Sequence, residues 1–243
     1  KSGGKKMKYE EYGYVDIDKL QQIDNENYLK NIPPKKETIS PNVLKGPKDI
    51  SQYLENHQPT EWIIDSFGAR GACVILAGDK GSGKSSFLYR LAESISKGEK
   101  FLSELSTIKK KVLVWQSDES KINALNKLKR MDINKGFDIV FKEEGWDQLN
   151  LGQLKEQIKI NNYGVVLIDS ISTLIANRGI NFKDMEIAKP LYELNDLAGE
   201  LNVLIIINSH LNKEDRDGIN LNDLLGSGQI SSAVSDIWSI YKP

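Results

Sequence analysis

Residues 73–86 read Cys73-Val-Ile-Leu-Ala-Gly78-Asp79-Lys80-Gly81-Ser82-Gly83-Lys84-Ser85-Ser86, and this stretch decides the fold. An apolar run of strand length ends in a turn that satisfies G-x-x-x-x-G-K-[ST] in full, and a helical pattern follows over 84–97. The glycines let the backbone curl so that successive N–H groups aim at one anion, and the helix start adds the positive end of its dipole. Gly78, Asp79, Lys80, Gly81, Ser82, Gly83, Lys84, Ser85 and Ser86 are therefore the candidate cradle for the phosphates of ATP or another nucleoside triphosphate. Within it the Lys84 ammonium is expected to reach the β- and γ-phosphates, and the Ser85 hydroxyl to ligate Mg²⁺. A glycine-rich turn can match this pattern by chance, but the flanking strand and helix argue against it.

Outward from the cradle, apolar runs at 112–117, 138–141, 165–168 and 203–207 predict strands, and 121–131 and 184–201 predict helices. The runs at 165–168 and 203–207 are nearly all aliphatic, the mark of strands covered on both faces. Short strands alternating with helices mean βαβ units, so the expected fold is α/β, with a mostly parallel central sheet and helices on both faces. Residues 61–243 are read as this P-loop domain and residues 1–60 as an N-terminal arm or linker. In the arm, residues 1–6 are rich in Gly and Lys, and Pro33, Pro34 and Pro41 break any long helix. One short amphipathic helix is expected over 48–57, with Ile50, Tyr53 and Leu54 on one side.

The totals narrow the function. The chain has 243 residues and a formal net charge of −1, so any grip on nucleic acid must be local rather than spread over the surface. A single cysteine, Cys73, leaves no internal disulfide and no cysteine-based metal site. No apolar run approaches bilayer length and no signal-peptide pattern is present, so a cytoplasmic protein with no membrane partner is expected.

A phosphate cradle needs carboxylates at neighbouring strand ends. Val165-Val-Leu-Ile-Asp169 carries the chain through the core and delivers Asp169 at the C-terminal edge, where open α/β sheets bind ligands; Asp169 is the candidate Mg²⁺ residue alongside Ser85. Val112-Leu-Val-Trp-Gln-Ser-Asp118-Glu119 ends a strand with two acids. Neighbouring side chains alternate in direction, so either Asp118 or Glu119 faces the γ-phosphate and orients or deprotonates water. The alternative role for this pair is capping the next helix. Ile205-Ile-Ile-Asn208-Ser209-His210 ends a further strand, and His210 is a candidate sensor that hydrogen-bonds the γ-phosphate.

Together these segments resemble the RecA-like core of hexameric replicative DNA helicases, especially the phage primase-helicase and Twinkle group, with RepA-like and DnaB-like relatives. Four blocks carry the likeness: the loop from Gly78 to Ser85, the strand ending in Asp118-Glu119, Ile168-Asp169-Ser170, and Ser209-His210-Leu-Asn-Lys213 running on to Leu225-Gly-Ser-Gly-Gln and Ser235-Asp236. The family has a catalytic glutamate where the strand alignment puts Asp118, and RadA-like and KaiC-like relatives carry two acids there, so both candidates stand. The resemblance implies an ATP-dependent motor that hydrolyses Mg-NTP to translocate on single-stranded DNA. It further implies a homo-oligomeric ring, a hexamer, with a primase module in the same or a partner chain, in a bacterial or phage-infected cell. By position, the family's channel loops are residues 176–188, with Arg178 and Lys183, and residues 211–228, with Lys213 and Arg216, whose charges would neutralise DNA phosphates.

Relatives carry an arginine finger after the last strand. Here no arginine follows Arg216, so Lys242 substitutes, the finger lies further along a longer protein, or it is absent. The other functions this sequence accommodates are a RecA-like regulatory ATPase without unwinding activity and a nucleotide-dependent assembly module.

Overall fold

The computed structural model describes residues 8–9, 13–14, 46–55, 57–171, 188–210 and 228–240. The chain divides into two compact units, residues 1–57 and 58–243. In the first, β1 (Lys8–Tyr9) pairs antiparallel with β2 (Gly13–Tyr14), and a short helix α1 (Ile50–Leu54) is capped by the Asp49 carboxylate, which accepts from the Ser51 N–H at 3.0 Å. This helix is shorter than the expected 48–57. Its Ile50, Tyr53 and Leu54 are exposed rather than packed on one side.

The second unit opens with a small hairpin, β3 (Trp62–Ile64) and β4 (Gly68–Ala69), and then enters the main sheet with β5 (Cys73–Gly78). There follow α2 (Lys84–Lys97), β6 (Val112–Gln116), α3 (Lys121–Arg130), β7 (Asp138–Phe141), α4 (Leu151–Asn161) and β8 (Val165–Asp169). The last elements are α5 (Ala188–Leu201), β9 (Leu204–His210), α6 (Gly228–Ser232) and β10 (Asp236–Ile240). Six strands form one sheet in the order β10-β5-β9-β8-β6-β7, and every neighbouring pair is parallel. This is the RecA-like α/β architecture expected from the sequence.

Alternation along the strands builds a core on each side. Cys73, Ile75, Leu113, Trp115, Val166, Ile168, Ile205 and Ile207 face one way, onto Leu154 and Ile158 of α4 and Leu191 and Leu194 of α5. Val74, Leu76, Val112, Val114, Val165, Leu167, Leu204 and Ile206 face the other way, onto Leu88, Leu91 and Ile95 of α2 and Leu128 of α3. A strand buried on both faces has no polar side, which is why β8 and β9 read as unbroken aliphatic runs. Pro190 lies in α5 and is buried. The expected start of that helix at 184–187 lies outside the described residues. No helix among the described residues is long and apolar enough to cross a membrane.

Register decides where the polar strand ends meet. Gly78 of β5 stands opposite His210 of β9, and Gln116 of β6 opposite Asp169 of β8. Four parallel strands thus present their C-terminal residues along one edge.

Candidate functional site

The loop from Gly78 to Lys84 leaves β5 and turns directly into α2. Gly83 caps the helix at φ 97°, a left-handed conformation that a side chain would strain. Gly78 meets a different limit. A Cβ there would stand 2.8 Å from the Ile240 carbonyl oxygen and 2.8 Å from Ser82 Oγ. The backbone of β10 cannot yield easily, so Gly78→Ala is expected to destabilise the fold by about 1–3 kcal/mol and to displace the loop. Thermal unfolding together with titration of a fluorescent nucleotide checks this; wild-type melting and wild-type affinity would show that the loop has room.

Lys84 lies under the loop, only 4% exposed. Its Nζ donates to the carbonyl oxygens of Gly78 and Asp79, each at 2.7 Å. Burial pulls its pKa below the ordinary lysine value, against the opposing attraction of Asp169, Asp79 and Asp118. A cleft of about 780 Å³ opens above it, lined by loop residues 79–81 and 83–86 and by Asp118, Lys127, Asn208 and His210. Around this cleft Ser82 Oγ, Asn208 Oδ1 and His210 Nδ1 are buried polar atoms without a hydrogen-bond partner among the described residues. Such atoms are costly unless a ligand or water satisfies them; the Ser82 hydroxyl and the His210 ring can donate to a polyanion beside the buried ammonium, whereas Asn208 Oδ1 can only accept.

The two acids after β6 go separate ways. Asp118 lines the cleft, with its carboxylate 3.6 Å from His210 Nε2. The facing imidazole holds the Asp118 carboxyl below the usual range, outweighing partial burial, with Lys142 and Lys84 adding attraction. Glu119 turns onto the helices instead: its Oε1 accepts from Lys127 Nζ at 2.8 Å and from the Tyr89 hydroxyl at 3.3 Å. Asp169 is fully buried, and each oxygen of its carboxylate takes one amide. Gln116 Nε2 donates to Oδ2 at 2.9 Å and Asn208 Nδ2 to Oδ1 at 2.5 Å.

The donor set fits a magnesium ion shared with bound phosphates. No group of three or more His, Cys, Asp or Glu side chains is gathered for a metal among the described residues, so protein ligands alone do not make a site. The hydroxyl of Ser85 on the cleft wall and the Asp169 carboxylate, which keeps lone pairs after accepting two amides, are hard oxygen donors of the kind Mg²⁺ takes.

Three residues of this region have no role in the sequence reading: Gln116, Asn208 and Lys127. The first two carry a usable signal, a carboxamide closing an aliphatic run, as in Val112-Leu-Val-Trp-Gln116 and Ile205-Ile-Ile-Asn208. Lys127 carries none, because only the packing of α3 brings it to the cleft. The DNA-contact candidates Arg178, Lys183, Lys213 and Arg216 lie outside the described residues, as does Lys242.

Comparison with known proteins agrees with this architecture. Residues 41–216 match the model of a family described as an AAA domain. DNA repair protein RadA of Chlamydia pneumoniae is 28% identical over 166 residues, covering 67% of this chain and 33% of that protein. DNA repair protein RadA of Helicobacter pylori is 22% identical over 204 residues, covering 83% of this chain and 42% of that protein. The chain thus spans well under half the length of these curated relatives. Among solved structures, that of a DnaB-like replicative helicase and its interactions with primase superposes with a TM-score of 0.52 over 71% of this chain and 48% of that one. At 18% identity this is a likeness of fold.

Proposed function

The chain belongs to the AAA-domain family of P-loop ATPases, and from that premise we propose that its strand-edge cleft hydrolyses Mg·ATP to drive a ring-shaped helicase motor along single-stranded DNA. The observation that carries the reading is the meeting of Lys84, Asp118 and His210 on one cleft at the C-terminal ends of β5, β6 and β9.

In this mechanism catalysis is positioning and charge neutralisation. Lys84 exchanges its two carbonyl partners for the β- and γ-phosphate oxygens, moving from one set of acceptors to a charged one. The loop N–H groups and the start of α2 hold the same phosphates. Asp118 accepts a proton from, or orients, the attacking water. His210, facing Asp118 across the cleft, registers whether the γ-phosphate is present. Ser85 and Asp169 would hold Mg²⁺, which neutralises charge on the phosphates when bound.

Nothing in the cleft itself specifies DNA. Support for that partner comes from the RecA-like resemblance and from the names of the relatives, and the ring, its hexameric form and a primase partner rest on the same resemblance. A second reading is a RecA-like repair or regulatory ATPase without unwinding activity, favoured by the name of the RadA relatives. The separating experiment is ATP turnover with and without single-stranded DNA. The motor reading expects stimulation severalfold or more, followed by strand displacement on a forked duplex. Turnover indifferent to DNA would favour the regulatory ATPase, and nucleotide-dependent assembly without turnover would sink both.

A further inference from the structure

Gln116 is a polar residue in a place where the fold asks for an apolar one. It closes the strand Val112–Gln116, is fully buried, and by alternation points with Val112 and Val114 toward α2. A buried carboxamide costs several kcal/mol unless its groups are satisfied, so its bonds indicate what it is there for. All four are made. Oε1 accepts from the main-chain N–H of Asp118 at 2.9 Å and of Glu119 at 3.1 Å. Nε2 donates to Asp169 Oδ2 at 2.9 Å and to the Tyr89 hydroxyl at 2.8 Å. An amide has two donors and two principal acceptor sites, and here none is spare.

Three of those bonds end on the segment that carries the acids or on an acid itself. The fourth holds Tyr89, whose hydroxyl in turn reaches Glu119. The Asp118 N–H is also shared with the Asp169 carbonyl oxygen at 3.0 Å, so the turn after β6 is tied to the end of β8 by main chain and side chain together. Asp169 is clamped from its other side by Asn208. A side chain fixed at four points has one orientation, and so do the groups fixed to it.

We infer that Gln116 is a positioning residue that sets the two acids of the site in register, holding the main chain at Asp118 and the carboxylate of Asp169 to one rigid amide. This rests on the reading of the cleft as a nucleotide hydrolase. Gln116 is not itself among the residues lining the cleft and meets it through the main chain of Asp118, away from the phosphate loop, so its effect falls on magnesium use and turnover and not on the grip of the phosphates.

The test compares the wild-type chain with Gln116→Met, which keeps length and removes every bond, and with Gln116→Ser, which leaves room for water and keeps the fold where the methionine variant fails. Three readouts are taken: melting temperature, affinity for a fluorescent ATP analogue with Mg²⁺ and with chelator, and steady-state hydrolysis. Both variants are expected to bind the analogue in chelator as the wild type does, to lose most of the gain in affinity that Mg²⁺ brings, and to show kcat lower by about tenfold or more, with KM for Mg·ATP raised in step with the lost Mg²⁺ gain. A residue that served only stability would lower the melting temperature and leave that split between chelator and Mg²⁺ absent. A folded variant with wild-type kcat and wild-type Mg²⁺ enhancement would overturn the inference alone. Failure of the wild-type chain to bind nucleotide would overturn it together with the hydrolase reading.

Discussion

Lys84→Ala is expected to abolish ATP hydrolysis, with kcat/KM lower by about 10³-fold, the scale of removing a preorganised donor from a developing negative charge. The reason lies in where the ammonium sits. It is almost fully buried, so its attraction for phosphate is screened far less than that of a surface lysine. Its Nζ is held by two main-chain carbonyls, and Asp169, Asp79 and Asp118 add attraction to a charge that burial desolvates. Removing it takes a burial cost away from the free protein along with two hydrogen bonds, so the melting temperature should stay close to that of the wild type. Loss of activity with an intact fold is therefore the expected pair of results, read by a phosphate-release assay and thermal unfolding. Retained turnover would end the assignment of the cleft.

Asp118→Asn should lower kcat by about 10²- to 10⁴-fold and leave nucleotide affinity nearly unchanged, because general-base assistance acts in the transition state and not on the bound phosphates. Glu119→Gln should be far milder. Its carboxylate faces Lys127 and Tyr89 instead of the cleft, and a partly exposed ion pair of that kind contributes about 0.2–1 kcal/mol. The two substitutions remove the same charge from adjacent positions, so the comparison isolates orientation. If Glu119→Gln proved the more damaging, the 118–119 turn would have to reverse on binding nucleotide, and Gln116 would have to release both N–H groups.

Much of the fold is legible in the sequence because its central strands are buried on both faces. Val165–Asp169 and Leu204–His210 have no exposed side and so admit no polar alternation, and a run of aliphatics of that length marks a strand without help from context. The elements absent from the sequence reading are those with weak or mixed burial. β10 is an edge strand whose residues are all partly or fully exposed, so Asp236-Ile-Trp-Ser-Ile240 shows neither a continuous apolar run nor clean alternation. In α4 only Leu154 and Ile158 are buried, too few to raise a helical period above its polar neighbours. The hairpin of β3 and β4 is held by tertiary contact, with Ile63 and Ile64 sunk into the α2-side core.

The site divides in the same way. The sequence alone determined the phosphate loop, because its conformation is local: glycines at fixed spacing, a strand before and a helix after specify a cradle wherever they occur. It also determined that acids and a histidine end the neighbouring strands, since parallel strands deliver their C-termini to one edge. Which of Asp118 and Glu119 looks into the cleft was decided only by the tertiary structure. Both follow the end of β6, where strand alternation no longer applies, and their directions are set by partners remote in the chain. Gln116 catches both N–H groups, while Tyr89 from α2 and Lys127 from α3 draw Glu119 aside. A side chain whose direction depends on contacts from three other elements has no signature in its own neighbours along the sequence, and only the packed molecule settles it.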